Sequence, residues 1–400
     1  MRVVITGSGT INPLGADVAS TLRAMSVGQS AITTIAIRDQ SRLSVQIGAP
    51  VLGFDPAVHF SPERLRFLDR FSQFAVVAAR QAILQSGLEF SEKLKAQTGA
   101  IIGTAGGGLS TSDDNFRAVY EDRKSRVHPF TVPRLMGNAA ASQITIEFGL
   151  SGPTFAIASA CASSNHAIGL AFQMVRSGLA PVMLAGGAEA MLTFGGLKAW
   201  EGLRVLAPDA CRPFSLDRSG MVLGEGAAVF VLEARDHAVG RGATILAEVA
   251  GFAMSADGAD MVLPSAAGAE RTMRAALEDA ALSPEAIGYI NAHGTGTRAN
   301  DLAESVAISA IFGADVAVSS TKGAHGHLIG AAGAVELLAC LLALNDGVLA
   351  PTAGWRLRDP ACQIDVVTGE ARRTSVTSCL SNAFAFGGLN AVLALKKHDE

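Results

Sequence analysis

One cysteine lies where a nucleophile can be activated. Cys161 belongs to the segment SACASS (159–164), between an apolar run with strand character and a predicted helix. There the backbone N–H groups and the positive end of the helix face the sulfur, which lowers the pKa of a thiol and favours the thiolate. On this segment alone, a buried structural cysteine among small residues explains the pattern at least as well.

Two glycine-rich segments contain histidines. His293 lies in NAHGTGT (291–297), and STKGAHGH (320–327) contains His325 and His327. Glycine allows a ligand to approach the backbone, although a lone loop histidine is usually a polar surface residue. The His-x-His spacing has no third ligand nearby, so the metal interpretation is the weaker one. One thiol with two distant imidazoles is the residue set of a thiol nucleophile with histidine partners.

A further glycine pair raises the alternative of a nucleotide-binding turn. The segment GSG (7–9) follows an apolar run, but Asn12 occupies the place of the third glycine of a dinucleotide motif. No acidic residue follows at the required distance. We therefore predict a structural turn at the end of a strand.

The elements that must position these residues are predicted from apolar runs and helical patterns. Continuous apolar runs, mostly bounded by glycine, predict strands buried on both faces. These runs are 3–7, 99–104, 182–187 and 227–233. The helical patterns cover 71–86, 164–177, 269–281 and 333–344. Alternating strands and helices indicate an α/β fold.

The chain shows signs of an internal duplication. The segments 161–169 and 326–333 each open a helix of small residues, and small residues let two helices approach closely. We predict that both helices are central and packed together. The chain then divides into 1–240, with the cysteine, and 241–400, with the two histidine segments. No Pro/Ser-rich linker marks the seam, so one compact body is expected.

Composition narrows the class of protein. Of 400 residues, 49% are hydrophobic and 17% charged, which excludes intrinsic disorder. The net charge of −4 does not suggest a nucleic-acid partner, and the sequence has no uncharged apolar run long enough for a membrane span. Five scattered cysteines fit a reducing compartment rather than a disulfide framework. A cytoplasmic protein without a signal peptide is predicted.

Segments over nearly the whole chain resemble the β-ketoacyl-acyl-carrier-protein synthases of the elongating type (KAS I/II), which are thiolase-like condensing enzymes. Each segment is a modest signal, but all of them in order are highly specific. They are 3–7 with 13–15, 69–71, 152–153, 160–163, 212–214, 217–218, 220–226, 291–295, 320–322 with 326–327, and 381–388. The resemblance implies a thiolase-like five-layered αβαβα fold built from two similar halves, usually a homodimer.

The resemblance also implies the reaction. Cys161, His293 and His327 match the Cys-His-His set of elongating enzymes, whereas the initiating class has asparagine for the second histidine and thiolases have a second cysteine. The implied acyltransferase condenses an acyl-enzyme thioester with malonyl-acyl-carrier protein to give 3-oxoacyl-acyl-carrier protein and CO₂. A non-catalytic or specialised partner subunit of a heterodimeric ketosynthase is the alternative, although the chain-length-factor relatives lack the cysteine.

Roles follow from the resemblance residue by residue. Cys161 accepts the acyl chain, and its backbone N–H forms an oxyanion hole with that of Phe386. His293 and His327, as neutral N–H donors, stabilise the enolate left by CO₂. Lys322 orders the site electrostatically.

Supporting positions complete the implied site. Glu336 is expected to act with Lys322. Phe386 gates the acyl pocket, and Gly387 and Gly388 give that gate its mobility, with a plain turn as the alternative. Ala385 replaces the usual glycine of this loop and would restrict it if its φ were positive, and a usual threonine is also replaced, by leucine, after the glycine pair.

The substrates of such an enzyme arrive on an acyl carrier protein, so neither an organic cofactor nor a metal is expected. The phosphopantetheine arm belongs to the carrier, and Thr295 and Thr297 are placed to bind its amides. Arg66 and Arg204 match basic positions where an acidic carrier docks.

Two positions bear on the acyl pocket. Gly106 falls where relatives often carry a bulky residue, which predicts an open pocket floor, whereas Trp200 lines the same pocket and opposes this.

Overall fold

The computed structural model describes residues 1–398, which form one large mixed sheet, two short two-stranded sheets and the helices packed on them. The strands are β1 (Val3–Ile11), β2 (Thr33–Thr34), β3 (Ile47–Gly48), β4 (Gly99–Gly103), β5 (Thr154–Ile157), β6 (Val182–Ala190), β7 (Glu225–Ala234), β8 (Ala247–Ala256), β9 (Tyr289–Asn291), β10 (Ala317–Ser319), β11 (Val348–Leu349), β12 (Asp365–Val366), β13 (Arg372–Arg373), β14 (Ser378–Ala385) and β15 (Leu389–Lys396). The α-helices are α1 (Val18–Ser26), α2 (Pro56–His59), α3 (Pro62–Leu65), α4 (Arg70–Ser86), α5 (Glu92–Gln97), α6 (Leu109–Tyr120), α7 (Thr131–Leu135), α8 (Ala139–Phe148), α9 (Ser163–Arg176), α10 (Phe194–Gly202), α11 (Arg235–Gly240), α12 (Ala266–Ala280), α13 (Arg298–Phe312), α14 (Lys322–His325) and α15 (Ala332–Asp346).

The large sheet consists of two halves with the same strand order. Its strands run β12-β10-β9-β14-β15-β8-β1-β7-β6-β4-β5. From its outer edge inward, the first half has the order β5-β4-β6-β7-β1, and the second half, inside β12, has the order β10-β9-β14-β15-β8. If the five strands of each half are numbered by their position in the chain, both orders read 3-2-4-5-1. In each half three neighbours are parallel and the remaining pairings are antiparallel. The halves join where β1 pairs with β8, so the predicted duplication is present in the topology.

Helices complete five layers. Helices α4 and α8 share an apolar cluster with the outer face of the first half-sheet, and α12 and α13 share one with the second. Helices α9 and α15 lie in a third cluster between the half-sheets. This arrangement confirms the predicted thiolase-like αβαβα fold. The division of the chain at 240/241 stays a prediction and falls between α11 and β8.

The two central helices pack as closely as their small residues predict. A side chain at Gly333 would place its Cβ 1.9 Å from Oδ1 of Asn165, and the N–H of Ala334 donates to Ser164 Oγ at 3.0 Å. The stretch Ile329–Asp346 has the length and composition of a membrane-crossing helix, but 89% of it is buried inside the fold. Its apolar character is therefore that of a core helix covered on all sides.

The predicted glycine turn at 7–9 is wrong. Strand β1 continues to Ile11, and Gly7 and Gly9 lie inside it. A Cβ on Gly7 would be 2.1 Å from the carbonyl oxygen of Ala82, and one on Gly9 would be 2.0 Å from that of Ala78, so glycine is required for α4 to approach the strand. The glycines serve packing rather than a change of direction.

Candidate active site

Cys161 is presented by a strained turn at the start of α9. It lies in the 3₁₀ turn Ala160–Ala162, where Ala160 has a φ of +48°, a left-handed conformation unusual for alanine. Hydrogen bonds of Ser163 Oγ hold this turn, because the hydroxyl accepts the N–H of Ser159 at 2.9 Å and donates to the carbonyl of Ala160 at 2.7 Å. The thiol is thereby fixed at the edge of a cavity while remaining almost wholly buried.

The protonation state expected for Cys161 from its sequence context is wrong. Burial raises the pKa of its thiol to about 12, although the Lys322 charge and the N–H of Phe386 lower it. Loss of water around the sulfur outweighs the helix end that suggested a lowered pKa. With this pKa the Cys161 thiol is neutral at rest.

His293 is held by its backbone and oriented by a lysine. Its N–H and that of Gly294 donate to the two carboxylate oxygens of Glu304, at 2.8 and 2.7 Å. The ammonium of Lys322 lies 3.4 Å from His293 Nδ1, which assigns the ring proton to Nε2. Burial and the Lys322 charge lower the pKa of His293 well below its usual value, so the ring is neutral.

His327 is held in an equivalent way by a different donor. Its Nδ1 accepts the N–H of Ile329 at 3.2 Å, which again places the ring proton on Nε2. Nε2 is buried and has no hydrogen-bond partner within residues 1–398. Burial and Lys322 lower the pKa of this ring also, so the site contains a second neutral N–H donor.

The glycine-rich segment 220–226 fixes the backbone of His327. The N–H of His327 donates to the carbonyl of Val222 at 2.6 Å, and the N–H of Gly224 donates to the carbonyl of His327 at 2.9 Å. This segment carries part of the family resemblance, and its structural contribution is to hold an imidazole far away in the chain.

The structure brings the three predicted catalytic side chains together. One donor atom each of Cys161, His293 and His327 lies within 4.8 Å of the others. A thiol and two imidazoles are also donors that zinc accepts, and a bound ion would occupy the groups predicted to be catalytic. His325 lies outside the cluster, because its ring nitrogens contact Thr321 Oγ1 at 2.9 Å and the carbonyl of Gly326 at 2.7 Å.

Lys322 and Glu336 form a buried ion pair beneath the histidines. The ammonium contacts Glu336 Oε1, and it donates to the carbonyl of His293 at 2.5 Å. Burial raises the pKa of Glu336, and the lysine charge opposes this. The Lys322 ammonium thus has three acceptors, which are Glu336 Oε1, the carbonyl of His293 and Nδ1 of the same residue.

Buried side-chain oxygens without a hydrogen-bond partner occur on α15, β9 and β14 in the described part of the chain. Glu336 Oε2, Asn291 Oδ1, Ser381 Oγ and Asn382 Oδ1 are buried without a hydrogen-bond partner within residues 1–398. Asn291 and Ser381 are directly paired between β9 and β14. Oxygen donors of this kind suit hard cations.

The cavity beside Cys161 has a volume of about 250 Å³ and mostly apolar walls. Its lining comprises Cys161, Val205, Met221, 261–264, His293, Thr295, Thr297, Ala299, Asn300, His327, 384–386 and Gly388. Thr295 and Thr297 share a hydrogen bond at 2.8 Å between their hydroxyls. A larger open groove of about 760 Å³ around Trp355 contains none of the predicted catalytic residues. The predicted catalytic residues therefore line the smaller cavity.

Phe386 forms part of the wall of this cavity. Its ring stacks on Trp200, with ring centroids 5.9 Å apart. Gly387 and Gly388 have φ values of +82° and +66° and form the turn between β14 and β15, so the turn requires glycine. Ala385 is the last residue of β14 and has no positive φ, so its methyl group fits the strand without the expected restriction.

The open pocket floor predicted from Gly106 stays a prediction, because neither Gly106 nor Trp200 lines the cavity beside Cys161. A Cβ on Gly106 would lie 2.7 Å from the terminal methyl of Met191, so the methionine occupies the space that glycine leaves. The sequence carries no local signal for this, because Met191 is distant in the chain. Glu189 and Glu304, which bind backbone N–H groups around the site, were missed for the same reason.

The two predicted docking arginines are exposed but differ in position. Arg204 is next to Val205, which lines the cavity, and has a φ of +57°. Arg66 lies over the ring of Phe130, with its guanidinium carbon 5.5 Å from the ring centre. Phe130 does not line the cavity. Of the two arginines, only Arg204 is next in the chain to a cavity-lining residue.

Comparison with known proteins agrees with the fold. Residues 1–238 match the family model "Beta-ketoacyl synthase, N-terminal domain", and residues 246–356 match "Beta-ketoacyl synthase, C-terminal domain". Nodulation protein E of Rhizobium leguminosarum bv. trifolii is 48% identical over 399 residues, 99% of each chain. The 3-oxoacyl-acyl-carrier-protein synthase 2 of Staphylococcus aureus (strain MRSA252) is 37% identical and covers 100% of this chain and 99% of its own length.

Solved structures that are similar to this chain are also ketosynthases. The ishigamide ketosynthase/chain length factor superposes with a TM-score of 0.95 at 34% identity, covering 100% of this chain and 99% of its own. The type II polyketide ketosynthase AntDE, in complex with the acyl carrier protein AntF, superposes with a TM-score of 0.90 at 28% identity and the same coverage. The chain belongs to the β-ketoacyl synthase family of thiolase-like condensing enzymes.

Proposed function

We propose that this chain catalyses the decarboxylative condensation of an acyl-enzyme thioester with malonyl-acyl-carrier protein, giving 3-oxoacyl-acyl-carrier protein and CO₂. One observation carries the proposal: a buried thiol and two neutral imidazoles lie within 4.8 Å of one another at an apolar cavity. Fatty-acid or related polyketide chain elongation is the class of pathway that uses this reaction.

The first step is transfer of the acyl chain to Cys161. The sulfur forms a bond to the acyl carbonyl carbon, the bond from that carbon to the carrier sulfur breaks, and the thiol proton passes to the leaving carrier thiolate. Because the Cys161 thiol is neutral at rest, its proton leaves during the attack rather than beforehand.

The second step is loss of CO₂ from the malonyl group. The carbon–carbon bond to the carboxylate breaks, and its electron pair forms an enolate. Nε2–H of His293 and Nε2–H of His327 donate to the enolate oxygen, and both rings are neutral, with pKa values depressed by burial. Donors fixed in a cavity without water stabilise such a charge at little reorganisation cost.

The third step joins the two substrates. The enolate carbon attacks the acyl carbonyl on Cys161, the carbonyl oxygen becomes an oxyanion, and its collapse expels the Cys161 thiolate. The backbone N–H groups of Cys161 and Phe386 are the proposed oxyanion hole, and the N–H of Phe386 already points at the Cys161 sulfur. The thiolate then regains a proton.

The proposed partner is an acyl carrier protein with its phosphopantetheine arm, and no other cofactor is required. The related AntDE binds a carrier in its solved complex. Thr295 and Thr297 line the cavity, where hydroxyls can bind the amides of the arm. Exposed Arg204 at the cavity rim, and Arg66, are the proposed docking residues for an acidic carrier. A cytoplasmic dimer of two identical chains is proposed, with a heterodimer as the alternative.

Intact-mass measurement after mixing with an acyl-loaded carrier tests this proposal. We expect one acyl adduct per chain in the wild type and in Cys362→Ala, which removes a cysteine outside the cavity, and none in Cys161→Ala. No adduct in the wild type would refute the proposal and would favour the non-catalytic partner subunit. Addition of malonyl-carrier protein should then release the adduct as 3-oxoacyl product.

A further inference from the structure

Glu189 is a buried carboxylate that forms no ion pair within residues 1–398. It is the penultimate residue of β6 and has no exposed surface. One oxygen accepts the N–H groups of Ala105 at 2.8 Å and Gly330 at 3.1 Å. The other accepts the N–H of Gly106 and the hydroxyl of Thr104, each at 3.1 Å. Burial raises the pKa of Glu189 to about 7, although these donors lower it.

The donors come from the two halves of the molecule. The loop 104–106 follows β4 in the first half-sheet, whereas Gly330 belongs to the 3₁₀ turn Ile329–Ala331, which precedes α15 in the second half. A single carboxylate therefore connects the halves beside the cavity. A buried carboxyl group without a cation beside it is costly, and here four hydrogen-bond donors from two distant segments offset that cost.

The turn that Glu189 holds controls His327. The N–H of Ile329 donates to His327 Nδ1 at 3.2 Å, and this bond sets which ring nitrogen carries the proton. Ile329 has a φ of +46°, a strained conformation that persists only where the surroundings enforce it. The bond from Gly330 to Glu189 is one such constraint, one residue away.

We propose that Glu189 is a positioning residue, which holds the Ile329–Ala331 turn against the loop 104–106 and so keeps Nε2–H of His327 directed at the cavity. This inference rests on the proposed function, because it assigns Glu189 to the decarboxylation that His327 serves. Glu189 does not line the cavity, although its charge contributes to the raised pKa of the Cys161 thiol, so its positioning effect is assigned to the turn.

The variant Glu189→Gln tests the proposal, because an amide has one acceptor oxygen where the carboxylate has two. Glu233→Gln is the matched control: Glu233 is equally buried, lies on the neighbouring strand β7 and contacts Arg241, His237 and Thr6, away from the cavity. Two measurements are made on each full-length protein. Hydrogen exchange reports on segments 104–108 and 326–333, and malonyl-carrier decarboxylation is divided by the rate of Cys161 acylation.

We expect faster exchange in both segments of Glu189→Gln and a fall of about ten-fold in the decarboxylation-to-acylation ratio, the size of one lost hydrogen bond to a charged group. Glu233→Gln should keep the wild-type ratio even if it lowers thermal stability. Should Glu189→Gln not fold, Glu189→Asp keeps the charge but shortens the reach, and the same two changes are expected.

Unchanged exchange, an unchanged ratio or equal effects in Glu233→Gln would overturn the role of Glu189. Wild-type protein that fails to decarboxylate malonyl-carrier protein would refute the proposed function and, with it, the service of Glu189 to that step. The exchange measurement would still decide whether the bridge between the halves exists, so the two failures are distinguishable.

Discussion

The turns that begin the two central helices occupy equivalent places in the two halves but present different chemistry. The turn Ala160–Ala162 precedes α9, and the turn Ile329–Ala331 precedes α15. Each contains a non-glycine residue in the left-handed region, Ala160 at φ +48° and Ile329 at φ +46°. The first turn carries its reactive thiol within itself, whereas the second uses a backbone N–H to orient the His327 ring two residues earlier.

This difference shows how a duplicated fold acquires a division of labour. The duplication supplies two strained helix starts that face the same cavity. One offers a side chain as the proposed nucleophile, and the other donates a backbone N–H to an imidazole. The two helices also differ in burial. Helix α15 is buried from residue 332 to residue 344, while α9 leaves His166, Leu170 and Gln173 partly exposed.

The largest expected effect separates the first turn from the second. Cys161→Ala removes the only group proposed to form the thioester, so condensation should fall by about 10⁴-fold or more. Decarboxylation of malonyl-carrier protein should persist, because both histidine donors remain. Product analysis by mass spectrometry measures both reactions. Condensation at a tenth of the wild-type rate or above would remove the proposed role of the first turn.

The converse variant is His327→Ala. Loss of one donor to the enolate should lower decarboxylation by roughly 10²- to 10³-fold. Acylation of Cys161 should continue, since the thiol and the N–H of Phe386 are untouched. Released CO₂ and the mass of the acyl-enzyme are the two measurements. If His327→Ala decarboxylates at the wild-type rate, the second turn does not serve that step.

Burial of the first turn predicts a pH dependence. A raised pKa keeps the thiol protonated, so the thiolate fraction grows as pH rises toward that pKa of about 12. Iodoacetamide labelling of Cys161 should therefore accelerate about ten-fold per pH unit from about pH 7 to about pH 10. Cys161→Ala identifies the background labelling. A plateau below about pH 8 would instead mean that the helix end outweighs burial.

The smallest expected effect concerns the strain in each turn. In Ala160→Gly, relief of the left-handed conformation is offset by the flexibility of glycine in the unfolded chain, so the free energy of unfolding should change by less than about 0.5 kcal/mol. Ile329→Gly also removes a side chain that is 1% exposed, and a loss of about 2–4 kcal/mol is expected. Urea unfolding compares the two. Equal losses would mean that the turns are stabilised alike.

Local pattern predicted much of the framework. Four predicted helices are present as α4, α9, α12 and α15, and their predicted ranges were 71–86, 164–177, 269–281 and 333–344. They were predictable because the spacing of apolar residues in a helix is a local property of the sequence. Strand ends were predicted less well. Strand β1 continues past Gly7 and β6 continues past residue 187 to Ala190, since Gly7 and Gly186 make room for α4 and for the backbone of β7.

The sequence by itself determined the residue types of the site, the duplicated arrangement of small-residue helices and the resemblance to condensing enzymes. Only the tertiary structure decided that Cys161 is a neutral thiol, that Met191 fills the space beside Gly106, and that Glu189 bridges the halves. The physical reason is common to all three. Desolvation, contact and hydrogen bonding depend on distances between segments that are far apart in the chain. These distances are set when the two halves pack together and cannot be read from local sequence patterns.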